Sequence, residues 1–153
     1  MQTHNEGKNK TVLEMESRSC NVSLARVMVA AFIAPVDPDV MELSDIKTAV
    51  SEAVTNAIIH GYGEDEAHIV RMTLTLSGRL LTVEVTDNGI GITDIAGARE
   101  PLFTTLPELE RSGLGFTVME SFMDTVDVIS TPGVGTTVTM TKDIKSNGAE
   151  HGA

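Results

Sequence analysis

The apolar positions near the start of the chain change from one spacing to another, and each spacing predicts a different element. Alternation over residues 11–16 predicts a first strand. Apolar residues at helical spacing then predict a helix that Ser19 or Asn21 caps and that runs to about Ala34. Pro35 ends this helix, because proline cannot continue the hydrogen-bonding pattern.

A second and longer helix is predicted to begin at Pro38 and Asp39 and to stop near Gly61. Its apolar residues recur every three or four positions, which is typical of a helix with one buried side. That buried side comprises Leu43, Ile46, Val50, Ala53, Val54, Ala57 and Ile58.

Two-residue alternation returns in the second half of the chain and predicts four more strands. The first pair covers residues 70–76 and 81–86, with a turn at Ser77 and Gly78. The second pair forms a terminal hairpin over residues 126–130 and 136–141. Because alternation indicates a sheet with one buried face, we expect an α/β (α+β) two-layer sandwich, with helices on one face of a mainly antiparallel mixed sheet.

Between these pairs lies a long connection over residues 88–112, which contains Gly and Pro and a predicted short helix near residues 95–99. Loops of this length within a compact domain are usually functional. A helix over residues 115–123 follows it. We expect a disordered leader over residues 1–10, one domain over residues 11–142 and a polar tail over residues 143–153.

Composition narrows the function classes. The 153 residues carry a net charge of −11 and only 3% aromatic residues, which argues against direct nucleic-acid binding and favours a basic protein partner. The apolar stretches are too short to span a membrane, and the N-terminus lacks a signal-peptide core. The single cysteine, Cys20, excludes an internal disulfide and fits a cytoplasmic location.

Two polar patterns carry candidate chemistry. Glu52 and Asn56 lie four residues apart on one helix face, where a carboxylate can act as a general base and an amide oxygen can bind Mg²⁺. Asp87 ends a strand and is followed by Gly89 and Gly91, so it is placed to accept a hydrogen bond from the amine of a base. Taken singly, the first pattern is also typical of solvated helix residues and the second of a tight turn.

A third pattern, Gly113-Leu114-Gly115, precedes a helix whose first N–H groups can bind phosphate, and Arg111 just before it can contact a terminal phosphate. The chain contains no P-loop motif, which excludes a Walker-type NTPase. It also lacks the dinucleotide-binding fingerprint after its first strand.

Taken in order, these three patterns and Gly135-Thr136-Thr137 resemble the N, G1, G2 and G3 boxes of the GHKL superfamily, which shares the Bergerat ATP-binding fold. The runs at 51–62, 100–105 and 107–120 further resemble the anti-sigma F factors of spore-forming bacteria. That family consists of serine kinases that also bind a sigma factor. The resemblance covers residues 11–142.

The resemblance implies a role for each matching residue. Glu52 is the catalytic base and Asn56 the Mg²⁺ ligand, while Asp87 reads adenine with support from Thr136. Residues 92–112 form the ATP lid, and Arg111 reaches the γ-phosphate. The resemblance places further residues in the ATP or ADP site: Gly89, Gly91, Thr104, Thr105, Gly113 and Gly115.

The resemblance also implies the partners: sigma factor F, an anti-anti-sigma protein that is phosphorylated on serine, and a second copy of the chain. Arg26 is either a partner contact or an ordinary surface arginine. His60 and the eight methionines are more typical of structural residues. Two alternatives stay open: a kinase for a stress-response sigma factor, and a nucleotide-controlled binding clamp with incidental catalysis.

Overall fold

The computed structural model describes residues 7–92 and 115–145, which form one sheet and a helical layer. The sheet has five strands in the order β1-β2-β3-β5-β4. The strands are β1 Lys8–Glu16, β2 Ile69–Ser77, β3 Leu80–Asp87, β4 Thr125–Thr131 and β5 Gly135–Asp143. The helices are α1 Asn21–Ile33, α2 Val40–Asn56 and α3 Gly115–Phe122, with a 3₁₀ turn at Ala34–Val36 and a π-helix at Ala57–Gly61.

The two-layer α+β prediction is confirmed. Along β2, the buried residues pack in the core and are Val70, Met72, Leu74 and Leu76. Thr73 and Thr75 alternate with them and are half-buried on the other face. The described strands pair only in antiparallel fashion, so the parallel pairing implied by a mixed sheet is not found among them.

The long second helix forms as its sequence predicts. Asp39 is its N-cap, and the Asp39 side chain accepts a 2.7 Å hydrogen bond from the backbone N–H of Glu42. Ile46, Val50 and Val54 of α2 are completely buried. One side of α2 is therefore fixed in the core, and this determines which of its polar residues face away from the core.

The start of α1 differs from the prediction. Neither Ser19 nor Asn21 caps the helix through its side chain; Cys20 is at the N-cap position, without a side-chain cap. The amide of Asn21 instead donates a 2.8 Å hydrogen bond to the carbonyl of Glu16, at the end of β1. Asn21 is therefore the first residue of the helix, and its side chain ties the helix to the preceding strand.

Two predicted boundaries are also wrong. The strand β1 begins at Lys8, three residues before the prediction and inside the expected leader, because backbone pairing with Ser77 of β2 needs no apolar side chain. At the other end, Ile144 is buried and its N–H bonds to the carbonyl of Arg79, so the expected polar tail does not begin at residue 143. No helix in the described ranges is long and apolar enough to cross a membrane.

Candidate functional site

The start of α3 packs against the two polar candidate residues on α2, Glu52 and Asn56. A β-carbon added to Gly115 would lie 3.0 Å from Nδ2 and 3.2 Å from Oδ1 of Asn56, and 3.4 Å from Oε2 of Glu52. Glu52 and Asn56 are both half-buried, at the edge of the buried side of α2. The predicted shared face is therefore present, and α3 begins directly against it.

Immediately after Asn56 the helix widens into a single π-turn, Ala57–Gly61. Such turns occur frequently at functional sites, because the extra residue redirects the chain. Here the π-turn ends at Gly61, which lies against the second polar group of the site. A β-carbon on Gly61 would be 2.6 Å from Cγ and from Oδ1 of Asp87.

Asp87 is the last residue of β3 and is only 5% exposed. Its Oδ1 accepts a 2.9 Å hydrogen bond from the N–H of Gly89, and the backbone of Thr136 on β5 also hydrogen-bonds to the carboxylate. Burial raises the pKa of Asp87 from 3.8 to about 6, because removal from water disfavours the charged form, and the two backbone hydrogen bonds oppose this only in part. A buried carboxylate with remaining acceptor capacity fits a ligand that offers a hydrogen-bond donor.

Two positions in the loop after Asp87 have room only for glycine. A β-carbon on Gly89 would be 1.8 Å from the carbonyl oxygen of Gly61. Gly91 has a φ of +75°, and a β-carbon there would be 2.3 Å from the carbonyl oxygen of Thr131. Both glycines allow the loop to approach neighbouring backbone closely, and Gly91 has the positive φ that glycine adopts without strain.

Thr136 pairs with Asp87 in the sheet register, and its side chain is anchored by a residue that the sequence analysis did not identify. The hydroxyl of Ser130 on β4 lies 2.8 Å from that of Thr136 and also accepts a 2.7 Å hydrogen bond from the N–H of Ile92. Ser130 therefore links the sheet to the last described residue before the long connection. A serine in a hairpin strand gives no indication of this in the sequence.

A cleft of about 540 Å³ opens between the end of α2 and the Asp87 loop. Gly61 and Tyr62 line one side of it, and Gly89 and Ile90 the other. His60 lies in the π-helix and also lines this cleft. Glu52, Asn56 and Asp87 are not among the described residues that line this cleft. The two candidate groups, Glu52 with Asn56 and Asp87 with its glycines, lie at opposite ends of the π-turn.

Other predicted site residues lie elsewhere. Arg26 on α1 donates a 2.8 Å hydrogen bond from Nη1 to the hydroxyl of Ser51, the neighbour of Glu52 on α2. Four others lie outside the described residues: Thr104, Thr105, Arg111 and Gly113. The predicted short helix and nearly all of the predicted lid also lie there.

A family model described as a histidine kinase-like ATPase domain matches residues 15–142. The chain is 54% identical over 142 residues to the anti-sigma F factor of Bacillus subtilis (strain 168), which covers 93% of this chain and 97% of that protein. It is also 54% identical over 138 residues to the anti-sigma F factor of Clostridium perfringens (strain SM101 / Type A), with 90% and 99% covered.

The chain belongs to the anti-sigma F factor family of histidine kinase-like ATPases. Among solved structures, it resembles the RsbU and RsbW domains of Rv1364c from Mycobacterium tuberculosis, with a TM-score of 0.64 and 20% identity. That match covers 89% of this chain and 32% of the solved chain, so this chain spans about a third of it. At this level of identity, the match shows that the two proteins share the fold. The family implies nucleotide binding, and the predicted superfamily resemblance is thereby confirmed.

Proposed function

We propose that this chain is an ATP-dependent protein serine kinase and an anti-sigma factor. It binds and inhibits sigma factor F and phosphorylates a serine of the anti-anti-sigma protein. The proposed kinase activity rests on one observation, which is the placement of Gly115 against both Glu52 and Asn56. A general base, a hard oxygen ligand and a helix start converge there, while a buried carboxylate lies at the far end of the π-turn.

The residues of the chain fit a nucleotide with its metal ion. The buried Asp87 carboxylate has acceptor capacity left for a donor on the base, and the amide oxygen of Asn56 is the kind of ligand that Mg²⁺ prefers. When bound, ATP supplies the phosphoryl group and Mg²⁺ neutralises phosphate charge. We assign base recognition to Asp87, Gly89 and Gly91, with Thr136 fixing the Asp87 carboxylate.

Glu52 acts as the general base in this proposal. It takes the proton from the serine hydroxyl as the oxygen attacks, which makes the hydroxyl a competent nucleophile. The N–H groups at the start of α3, from Gly115 onward, are oriented as helix N-termini that bind phosphate. By family resemblance, Arg111 and Gly113 contact the phosphates, and Thr104 and Thr105 belong to the nucleotide site.

The inhibitory half rests on the family and on the surface of α1. We assign partner contact to Arg26, whose guanidinium is half-buried and is held beside the catalytic face of α2 by its hydrogen bond to Ser51. The net charge of −11 favours a basic partner surface. A second copy of the chain completes the assembly, as the family resemblance implies.

Phosphoryl transfer tests the kinase half directly. Wild-type protein incubated with radiolabelled ATP and the anti-anti-sigma protein should transfer label to a serine. We expect Glu52→Gln to abolish transfer while retaining ADP binding. Glu84→Gln, a matched change on an exposed residue of the opposite sheet face, should transfer normally. Transfer at the wild-type rate by Glu52→Gln would refute the assignment of the base.

Partner capture tests the inhibitory half. Immobilised protein should retain sigma factor F more strongly with ATP than with ADP. If Glu52→Gln still retains sigma factor F with ATP, inhibition is separate from catalysis. Retention of a stress-response sigma factor in preference to sigma factor F would refute sigma factor F as the partner and support the stress-response alternative.

A further inference from the structure

The hydroxyl of Tyr62 links the start of β2 to the candidate base-recognition loop. Tyr62 is 9% exposed, and its Oη accepts a 2.7 Å hydrogen bond from the backbone N–H of Asn88. The same hydroxyl donates a 2.6 Å hydrogen bond to the carbonyl of Ile69, the first residue of β2. The phenol thus uses its acceptor and its donor at once, and each bond has good length.

Asn88 directly follows Asp87, so the bond to Tyr62 holds the backbone that carries the carboxylate. The loop has a second attachment to the same end of α2, a 3.0 Å hydrogen bond from the N–H of Ile90 to the carbonyl of Gly61. Between these two attachments, the N–H of Gly89 donates to Oδ1 of Asp87. The direction of the carboxylate therefore depends on a short loop that is fixed at both ends.

The Tyr62 ring is itself held rigidly. It stacks on His68 with a ring-centroid distance of 4.6 Å and an interplanar angle of 8°. His68 in turn lies 3.2 Å from Oδ2 of Asp65, measured from Nε2. Burial raises the pKa of Tyr62, so the hydroxyl keeps the proton that it donates to Ile69.

We propose that Tyr62 is a positioning residue for base recognition, which aims the Asp87 carboxylate through the N–H of Asn88. Its hydroxyl then contributes to the preference for bases that carry a 6-amino group. This inference rests on the proposed function, in which Asp87 accepts a hydrogen bond from that amine. A tyrosine that only tethered β2 would support all nucleotides equally.

Tyr62→Phe removes the hydroxyl and keeps the ring that stacks on His68. The dissociation constants of ADP and of purine riboside 5′-diphosphate, which lacks only the 6-amino group, are measured by calorimetry on the full chain. We expect the dissociation constant of ADP to rise roughly tenfold, since the loop loses one of its two attachments. The dissociation constant of the analogue should change by less than about twofold, because the analogue has no amine that could donate a hydrogen bond to Asp87.

The ratio of the two constants is measured on the same sample, so a smaller folded fraction cancels from it, and the titration stoichiometry reports that fraction. In an Asp87→Asn background, Tyr62→Phe should leave the ratio unchanged, as expected for residues acting in series. Thr86→Val removes a hydroxyl that bonds to Thr137 just before Asp87 and leaves Tyr62 and its stacking partner intact, so it serves as the matched control and should retain the wild-type ratio.

Equal weakening of both ligands by Tyr62→Phe would overturn the proposal, since the hydroxyl would then only hold the fold. A ratio lost in Asp87→Asn but kept in Tyr62→Phe would also refute the role of Tyr62 and leave the proposed function intact. A wild-type ratio in Asp87→Asn would refute the base-recognition assignment itself, and this inference with it.

Discussion

Gly61 lies so close to Asp87 that no side chain fits between them. A β-carbon at position 61 would be 2.6 Å from Cγ and Oδ1 of the carboxylate and 2.9 Å from Oδ2. Real β-carbons do not approach other atoms this closely, so any larger residue must displace the Asp87 side chain. The turn that follows α2 therefore packs directly against the end of β3 within the candidate site.

Gly61→Ala should therefore weaken nucleotide binding. The added methyl group displaces the Asp87 carboxylate, and loss of a hydrogen bond to a charged group costs about 1.5 to 3 kcal/mol, or roughly tenfold to a hundredfold in affinity. We expect the ADP dissociation constant to rise between roughly tenfold and a hundredfold. Isothermal calorimetry measures it.

Gly63→Asn is the matched control for this change. Residue 63 also lies just beyond α2, its φ is +59°, and nothing lies within 4 Å of its β-carbon position. Asparagine tolerates this backbone conformation, so binding should stay near wild type. If Gly61→Ala bound ADP as tightly as Gly63→Asn, the packing against Asp87 would have no role in recognition.

Gly115→Ala should slow phosphoryl transfer more than it weakens binding. The methyl group would lie 3.0 Å from Nδ2 of Asn56, so the amide that we assign to Mg²⁺ must move by a few tenths of an ångström. We expect the single-turnover rate of transfer to fall roughly tenfold, with a smaller change in ADP affinity. Ser121→Ala, exposed in the same helix, is the control. A larger loss of affinity than of rate would contradict the assignment of Asn56.

Asp87→Asn should stabilise the free protein while it weakens ADP binding. The folded-state pKa of about 6 lies above the ordinary 3.8, so the folded protein binds more protons than the unfolded chain between these values. The free energy of unfolding of the wild type therefore falls as pH rises from about 4 to 6. Above pH 6 this cost is complete, at about 3 kcal/mol.

Chemical denaturation of the nucleotide-free protein at pH 4.5 and pH 7.5 measures the effect. The difference in unfolding free energy between Asp87→Asn and wild type should be larger at pH 7.5, in favour of the variant. Wild-type affinity for adenosine, which lacks titrating phosphates, should fall below pH 6 as the carboxyl group takes up its proton. A stability difference that did not vary with pH would show that Asp87 titrates normally.

Arg26→Ala should weaken partner binding without changing nucleotide affinity. The guanidinium of Arg26 donates a hydrogen bond to Ser51 on α2, whereas recognition of the nucleobase is assigned to Asp87, Gly89 and Gly91. Ser51→Ala is the matched control, because it releases the guanidinium and keeps its charge. We expect a loss of at least about tenfold in sigma factor affinity for Arg26→Ala, of the size seen at interface arginines, and a smaller loss for Ser51→Ala. Equal effects of the two variants would make the hydrogen bond, and not the charge, the important feature.

The sequence predicted most of what is periodic in this protein. Regular alternation located β2 and β3 to within one residue at each end, and helical spacing with Asp39 located α2. The prediction was poorest where backbone pairing alone makes the structure. Lys8 joins a strand and Ile144 packs against the domain because of partners distant in sequence, which local composition does not contain.

The sequence by itself determined the residue types of the site and their order along the chain. Glu52 and Asn56 follow from helical spacing, and Asp87 with its glycines from a strand end. The tertiary structure alone decided that a π-turn after Asn56 carries Gly61 to the Asp87 carboxylate, and that Tyr62 and Ser130 hold the loops on either side. These contacts join segments that are 25 or more residues apart. They depend on the position of the helical layer on the sheet. That position is set by the close packing of all the core side chains together, and not by any one segment.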